Sequence, residues 1–201
     1  MLSSWLLARL PNRLVGNDGG AVREIEVKYQ IQDTEGLLLA LKARDIALSA
    51  PATQNDQAYA PEGWSYGDSK LGVSFVRLRT VDGQHTFTLK RPAENALSCD
   101  EYETAVTDRE QMHHAILAMG FRATVRITKV RRTATLPDLE LCVDEVAGLG
   151  TFLELERMVS DDVPGEAVQA ELAAFVASLA VEATRTEETY DSLVRAAVAS
   201  A

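Results

Sequence analysis

Five consecutive residues, Glu24-Ile25-Glu26-Val27-Lys28, alternate charged with apolar side chains. Successive side chains of a β-strand point to opposite faces of a sheet, so this segment predicts a strand with one charged and one apolar face. Charges at the same i, i+2 spacing recur later, in Arg77/Arg79, Glu101/Glu103, Lys129/Arg131 and Glu154/Glu156, with Lys90 and Asp144 as single members. A sheet that carries ordered acids and bases on one face is typical of a site for a metal ion and a polyanion.

The same alternation predicts eight β-strands along the chain. We expect them at residues 21–32, 53–60, 73–82, 84–91, 98–107, 121–135, 138–147 and 150–159. Asp82-Gly83 is a preferred pair for a two-residue hairpin turn, so the third and fourth strands are expected to be antiparallel. Apolar residues at helical spacing predict helices at 34–48, 108–119, 164–181 and 188–199.

The apolar side chains on one face of the strands must be buried, and the four predicted helices can pack over them. This apolar phase comprises Ile25, Val27, Tyr29, Val76, Leu78, Phe87, Leu89, Leu141, Val143, Leu153 and Leu155. The charged phase could then face water on an open sheet. It could also line the lumen of a closed barrel, for which eight antiparallel strands are enough.

Length and composition limit the remaining possibilities. A chain of 201 residues is expected to form a single domain over 21–201, preceded by a flexible extension at 1–20. The net charge of −10 argues against nucleic acid and anionic membranes as partners. The apolar stretch at 2–10 is shorter than the roughly 20 residues that a membrane span needs. Two cysteines without metal-ligand spacing, Cys99 and Cys142, indicate buried residues in a reducing compartment, so we expect a cytoplasmic protein.

A solvated strand face is the simplest alternative explanation of the charges. Such a face usually mixes charges of both signs with Ser, Thr, Asn and Gln, whereas here acids and bases are sorted into pairs. Like charges on one strand face repel each other, which costs stability unless a ligand or an opposing strand compensates. The sorting therefore favours a binding site.

In the order of these motifs the chain resembles the CYTH superfamily, the triphosphate tunnel metalloenzymes, from about residue 22 to residue 194. The resemblance rests on Glu-x-Glu-x-Lys at 24–28, Arg-Leu-Arg at 77–79, Thr-Leu-Lys at 88–90, Glu-Tyr-Glu at 101–103, Lys-Val-Arg at 129–131 and the block 143–156. The Gly-Leu-Gly turn at 148–150 and residues 188–193 are most similar to the class IV adenylyl cyclase branch. The resemblance implies an α+β fold, a closed eight-stranded antiparallel β-barrel that forms a tunnel open at both ends, with helices packed outside.

The chain departs from the family pattern in two places. Residues 55–59 give a wider spacing than the Asp-x-Tyr that often follows the first helix, and the segment 61–72, with Trp64 and Tyr66, is long. We expect that segment to be a lid, a specificity loop or a surface loop whose aromatic rings pack on the barrel.

The chemistry of the side chains assigns them roles. Basic groups bind phosphate oxygens, and we expect this of Lys28, Arg77, Arg79, Lys90, Lys129 and Arg131, with Lys28, Arg79 and Lys90 as the catalytic members. Carboxylates bind a hard divalent cation that also takes phosphate oxygens, so Mg²⁺ is the expected cofactor and Mn²⁺ fits equally. By resemblance, the metal ligands are Glu24, Glu26, Glu154 and Glu156, with Asp144, Glu101 and Glu103 as further ligands or orienting residues. The acidic wall is expected to lie opposite a basic wall.

Several reactions remain open at such a site. The sequence has no Walker A glycine loop, and His113 and His114 are expected on a helix that faces mostly water. The substrate is expected to be a small-molecule triphosphate: ATP, inorganic triphosphate or thiamine triphosphate. Attack by a metal-held water would make the protein a triphosphatase, attack by the ribose hydroxyl an adenylyl cyclase, and binding without turnover a sensor. The resemblance favours the cyclase. The helices at 164–181 and 188–199 could cover the barrel or meet a second copy, which leaves a homodimer open.

Overall fold

The computed structural model describes residues 22–160 and 162–199. The strands in this part of the chain are β1 (Val22–Ile31), β2 (Ala52–Pro61), β3 (Phe75–Val81), β4 (Gln84–Pro92), β5 (Ser98–Val106), β6 (Phe121–Leu136), β7 (Leu139–Val146), β8 (Gly150–Ser160) and β9 (Ala183–Thr186). The helices are α1 (Thr34–Lys42), α2 (Arg109–Ala118), α3 (Gly165–Ser178) and α4 (Tyr190–Ala199). The expected extension at residues 1–20 lies outside the described residues.

Strand β1 closes the sheet into a barrel because it pairs with both ends of the strand order. The order is β5-β4-β3-β2-β6-β7-β8-β1, and the first half of β1 pairs back onto β5, from Arg23 opposite Asp100 to Ile25 opposite Ser98. Each neighbouring pair around the barrel is antiparallel. The predicted α+β fold with an eight-stranded antiparallel closed barrel is therefore confirmed.

Strand β9 is an addition that the sequence pattern did not predict. It pairs with the second half of β1, from Lys28 to Ile31, beyond the part that pairs with β5. Its four residues, Ala-Thr-Arg-Thr, have no apolar alternation. Its extended conformation therefore depends on the edge that β1 offers rather than on its own sequence.

Apolar side chains on the outside of the barrel form two cores beneath the helices. The larger core includes Ile25, Val27, Leu141, Val143, Leu153 and Leu155 from the strands and buried residues of α1 and α3. The smaller one packs Ile116 of α2 against Tyr59, Val76 and Leu78. The predicted apolar phase thus lies under the helices, which leaves the charged phase for the interior.

The helices lie within the predicted segments, with one difference in length. Helix α1 ends at Lys42 rather than at residue 48, because the chain turns at Asp45, whose φ of 57° is left-handed. Across the described ranges, no helix has the length and apolar content that crossing a membrane requires. At the predicted hairpin, Asp82 and Gly83 both have positive φ, 48° and 78°, as a type I′ turn requires.

Candidate functional site

The alternation of β1 separates the outer core from the barrel interior, which we call the lumen. Ile25 and Val27 are fully buried beneath the helices, so Glu24, Glu26 and Lys28 point the opposite way, into the lumen. The lumen contains a cavity of about 160 Å³ lined by charged residues of β1, β2, β3, β4, β6 and β8. The charged phase of the sheet therefore forms one enclosed surface rather than a solvated face.

The strand register brings carboxylates together on one side of the lumen. Glu26 of β1 lies opposite Glu156 of β8. Carboxylate oxygens of Glu24, Glu26 and Glu156 all lie within 4.8 Å of one another, and the three residues are buried. We call these three residues the acidic group. A set of oxygen ligands at this spacing fits a hard divalent cation such as Mg²⁺ or Mn²⁺.

Lys28 lies between acids of two neighbouring strands. Its Nζ is 3.2 Å from a carboxylate oxygen of Glu26 and 3.2 Å from one of Glu154. Burial alone would lower the pKa of Lys28, but the two carboxylates outweigh it and raise the pKa above its ordinary value. Lys28 therefore holds a positive charge directly beside the acidic group.

Asp144 of β7 holds the two basic residues of β6. Its carboxylate accepts hydrogen bonds from Lys129 Nζ at 2.7 Å and from Arg131 Nε and Nη2 at 2.7 and 2.6 Å. The Tyr190 hydroxyl donates a further bond of 3.0 Å. Burial would raise the pKa of Asp144, but Arg131 and Lys129 lower it. This set of contacts suits a residue that orients Lys129 and Arg131, and Arg131 also pairs with Glu154.

Lys90 and Arg77 line another sector of the lumen, beside the acids of β5. Lys90 Nζ lies 2.7 Å from Glu24 and 2.8 Å from Glu101. Arg77 Nη2 lies 3.4 Å from Glu103. Glu101 and Glu103 therefore contact basic residues, and Lys90 connects Glu101 to the acidic group through Glu24.

A family model agrees with this architecture. The model of the CYTH domain matches residues 22–190, which include every strand of the barrel. The chain belongs to the CYTH domain family.

Two curated relatives carry cyclase names. A Methanocaldococcus jannaschii protein, provisionally named an adenylate cyclase, is 29% identical over 69% of this chain and 78% of its own length. The adenylate cyclase CyaB of Aeromonas hydrophila is 25% identical over 69% of this chain and 71% of its own length.

Solved structures share the fold at lower identity. A Pyrococcus horikoshii protein superposes with a TM-score of 0.72 at 19% identity, covering 85% of this chain and 97% of that one. A Hippeastrum protein, provisionally named an adenylyl cyclase and described as having a dominant triphosphatase activity, gives a TM-score of 0.57 at 18% identity. It covers 86% of this chain and 95% of its own.

In this CYTH barrel the predicted site residues come together, with most of the acids on one side of the lumen and most of the bases on the other. The neighbouring strands β7, β8, β1 and β5 carry the acids of the expected acidic wall, and β4, β3 and β6 carry the bases of the expected basic wall. The exceptions are Lys28 among the acids and Asp56 of β2 among the bases. Acids and bases also pair with each other across strands, as in Lys28–Glu154, Lys90–Glu24, Arg77–Glu103 and Lys129–Asp144. Opposing strands therefore compensate much of the repulsion within each like-charged pair.

Asp56 of β2 is a lumen residue that the sequence reasoning missed. Its carboxylate accepts two hydrogen bonds of 2.7 Å from Arg79, one from Nε and one from Nη2. The predicted strand phase could have identified it, since Gln54 and Asp56 alternate with Asn55 and Gln57. It was not singled out because no second charge follows at i+2.

Tyr190 and Lys70 were also missed, and both lie at the end of the cavity beside α4. The Tyr190 ring lies under two ammonium groups, with Lys28 Nζ 4.4 Å and Lys129 Nζ 4.7 Å from its centroid. Tyr190 also packs with Ile127 and Phe152, which share the lumen phase of their strands. The resemblance implied a tunnel open at both ends, and in the structure α4 narrows one of them.

The segment 61–72 packs against this same end of the barrel. Trp64 is 6% exposed, and its ring lies edge-on to Tyr66 and Phe75, each 5.0 Å away between centroids. Lys70 extends from the segment to the start of α4, donating at 2.6 Å to Oγ1 of Thr189, the residue before the helix. Among the three expected roles, the packing of the aromatic rings is the one that the contacts show.

The histidines of α2 lie away from the lumen. His113 is half-buried rather than facing mostly water, because its Nδ1 shares a 2.8 Å hydrogen bond with the hydroxyl of Tyr59 in the outer core. His114 is exposed beside Glu110. Neither contacts a lumen residue among the interactions described.

Proposed function

We propose that this CYTH protein is a divalent-metal-dependent enzyme that binds a triphosphate in the lumen and converts ATP to cyclic AMP and diphosphate. The observation that carries the proposal is the buried acidic group beside buried, positively charged side chains in one cavity. A polyanion alone would need the bases, and a cation alone would need the acids. A metal–triphosphate complex uses both.

The acidic group is the proposed metal site. Glu24, Glu26 and Glu156 would hold Mg²⁺ or Mn²⁺, which supplies neutralisation of phosphate charge and activation of an attacking oxygen. Glu154 is a weaker candidate ligand, because it is not one of the carboxylates whose oxygens lie within 4.8 Å of one another. Asp144, Glu101 and Glu103 are proposed to orient basic residues.

The basic residues are proposed to bind the phosphates and to stabilise the charge of the leaving diphosphate. Arg77 and Arg79 offer planar guanidinium groups that can bind two oxygens at once, and Lys28, Lys90 and Lys129 act as point charges. Each of these side chains is held in the lumen by an acidic neighbour, so its position is set before the substrate enters. Preorganised charge of this kind is usually the largest contribution to catalysis.

The cyclase reaction is favoured by the names of the two curated relatives. In that reaction the ribose hydroxyl of ATP attacks the α-phosphorus, loses its proton and displaces diphosphate. The hydroxyl must therefore occupy the position that a water would take in hydrolysis. Lys28, Arg79 and Lys90 are the proposed catalytic members, since all three line the cavity.

Triphosphate hydrolysis is the second candidate, and the description of the Hippeastrum neighbour favours it. The same charges would then bind inorganic triphosphate, thiamine triphosphate or a nucleoside triphosphate, and water would be the nucleophile. Binding without turnover is a third outcome, although it gives no reason for a buried acidic group.

Product analysis of the whole chain tests these alternatives. The protein is incubated with Mg²⁺ or Mn²⁺ and, separately, with ATP, inorganic triphosphate and thiamine triphosphate, and cyclic AMP, diphosphate and orthophosphate are resolved. Cyclic AMP with equimolar diphosphate supports the cyclase. If orthophosphate is released, and fastest from inorganic triphosphate, the protein is a triphosphatase and not a cyclase. If triphosphate binds in a metal-dependent way and no product forms, the protein is a sensor and neither enzyme.

A further inference from the structure

A second group of metal-ligating side chains adjoins the acidic group. Glu140 and Cys142 of β7 and Glu156 of β8 have ligand atoms that all lie within 4.8 Å of one another. Glu156 belongs to this group and to the acidic group, so the two groups share one carboxylate. We call Glu140, Cys142 and Glu156 the thiol group.

The strand register gives an independent indication of a cation here. Glu140 of β7 lies directly opposite Glu156 of β8, and Glu156 lies directly opposite Glu26 of β1. Three carboxylates therefore stand side by side across three adjacent strands. Like charges directly opposite each other destabilise a sheet. Lys28 lies 3.2 Å from Glu26 and Arg131 lies 3.7 Å from Glu156, so the charge at the Glu140 end of the row is the one that a further cation would offset.

The thiol of Cys142 points to this row rather than to the outer core. Cys142 shares its strand phase with Glu140 and Asp144, whereas Leu141 and Val143 face the outer core. It is fully buried, and its described hydrogen bond is a weak one to Glu140, with sulfur and oxygen 3.9 Å apart. Glu140 is half-buried, which leaves an approach to the group from the end of the barrel opposite α4.

We propose that Glu140, Cys142 and Glu156 form a second cation site, selective for a thiophilic divalent cation such as Zn²⁺. Mg²⁺ prefers oxygen ligands, whereas Zn²⁺ takes cysteine sulfur together with carboxylates, so one sulfur among the ligands separates the two sites. On binding, the thiol proton leaves to solvent and the sulfur coordinates as thiolate, with no change in oxidation state.

Occupation of the thiol group should inhibit turnover. A cation there engages Glu156, which is then less available to the acidic group. This consequence rests on the proposed function, whereas binding of the cation does not. Binding and inhibition are therefore measured separately.

Binding is tested by titrating the whole chain with Cd²⁺ in place of Zn²⁺ and following the ultraviolet charge-transfer band of a cadmium thiolate. The chain has two cysteines, so Cys99→Ser is a matched control for Cys142→Ser. Cys99 is also buried, but its thiol donates to the Ala96 carbonyl at 3.5 Å and it is not a member of the thiol group. The wild type and C99S should give the band with one Cd²⁺ per chain, and C142S should not.

Further variants separate loss of the site from loss of the fold. Cys142→Ala removes the sulfur without adding a hydroxyl to a buried position, so it should lose the band while keeping the wild-type far-ultraviolet spectrum. Glu140→Gln should keep the band but weaken Cd²⁺ binding at least about tenfold, because even outer-shell partners are worth about 10- to 100-fold in metal affinity. A band that persists in folded C142A, disappears in C99S or is absent from the wild type would overturn the proposal.

The inhibition test compares each variant with its own Mg²⁺-dependent rate. Micromolar Zn²⁺ should inhibit the wild type and C99S, and C142A should need at least about tenfold more Zn²⁺. Equal sensitivity of C142A and the wild type would overturn the inhibitory role. If no triphosphate turns over, the proposed function fails, yet the cadmium band still decides whether the site exists.

Discussion

Asp56 accepts two hydrogen bonds from Arg79, from Nε and Nη2, each 2.7 Å long. The two-point contact fixes the plane of the guanidinium group inside the lumen. Burial alone would raise the pKa of Asp56, but Arg79, with Arg77 and Lys129 nearby, lowers it to about 2. The pair therefore stays ionised at neutral pH and orients a proposed phosphate-binding residue.

Asp56→Asn should weaken triphosphate binding and destabilise the protein at neutral pH. A carboxyl with a folded pKa of about 2 and an unfolded pKa of about 3.9 contributes roughly 2–3 kcal/mol. That contribution is complete above pH of about 4 and is lost as the pH falls towards 2, so the difference between wild type and variant should shrink over this range. Urea unfolding at several pH values measures it. Asp100→Asn, on the outward face of β5, is the control, and a pH-independent difference would contradict the assignment.

The closed barrel could be predicted from the sequence because it rests on local alternation that repeats in eight strands. The pairing of charges could not, because it depends on register between strands far apart in sequence. Nothing local to residue 28 indicates that Lys28 will meet Glu154. For the same reason, all four glutamates Glu24, Glu26, Glu154 and Glu156 were expected to hold the metal. The structure brings Glu24, Glu26 and Glu156 together, while Glu154 contacts Lys28 and Arg131.

Glu26→Gln should abolish metal-dependent turnover while leaving the fold intact. The amide keeps the shape of the side chain but removes a charged oxygen from the acidic group. Charge stabilisation by a metal is worth several kcal/mol, so the rate should fall at least about 100-fold. Glu145→Gln changes an exposed carboxylate of β7 and should retain the wild-type rate. Steady-state kinetics over a range of Mg²⁺ decides this, and a wild-type rate in E26Q would remove Glu26 from the metal site.

His113→Ala should affect stability and not turnover. The variant loses the hydrogen bond between His113 Nδ1 and the Tyr59 hydroxyl, which lies outside the lumen. Such a bond contributes about 1 kcal/mol. Thermal unfolding should detect this loss, while His114→Ala, on the exposed side of α2, should change stability by less than about 0.5 kcal/mol. A large fall in turnover for H113A alone would give this histidine a role in the reaction.

Helix α4 shows where local patterning stops being informative. Its helical spacing is readable from the sequence, but the insertion of Tyr190 between Lys28 and Lys129 depends on where the helix docks. The contacts of Lys70 are equally difficult to predict from the sequence, because its partners are more than a hundred residues later in the chain. Such contacts follow from the closed barrel and not from any segment alone.

Lys70→Met should loosen α4 without unfolding the barrel. Lys70 Nζ donates to Thr189 Oγ1 at 2.6 Å and to Ser192 Oγ at 2.9 Å, and these bonds join the segment 61–72 to the helix. Hydrogen bonds from a charged group are worth about 1.5–3 kcal/mol, so amide exchange in α4 should accelerate at least about tenfold. Exchange in α3 should not change. Lys42→Met, an exposed lysine of α1, is the matched control, and slow exchange in K70M would show that apolar packing alone holds α4.

The pH dependence of triphosphate use should report Lys129. Burial and the neighbouring Arg131 lower the pKa of Lys129 to about 8, against the attraction of Asp144. Below this pH the ammonium group is charged and can bind phosphate, and above it the charge is lost, so kcat/KM should decline as the pH rises through about 8. Lys129→Arg should remove the decline, because a guanidinium group stays protonated throughout this range. Lys90→Arg is the control, since Glu101 and Glu24 outweigh the effect of burial and raise the pKa of Lys90, which should leave the alkaline decline in place. The same decline in K129R and the wild type would assign it to another group.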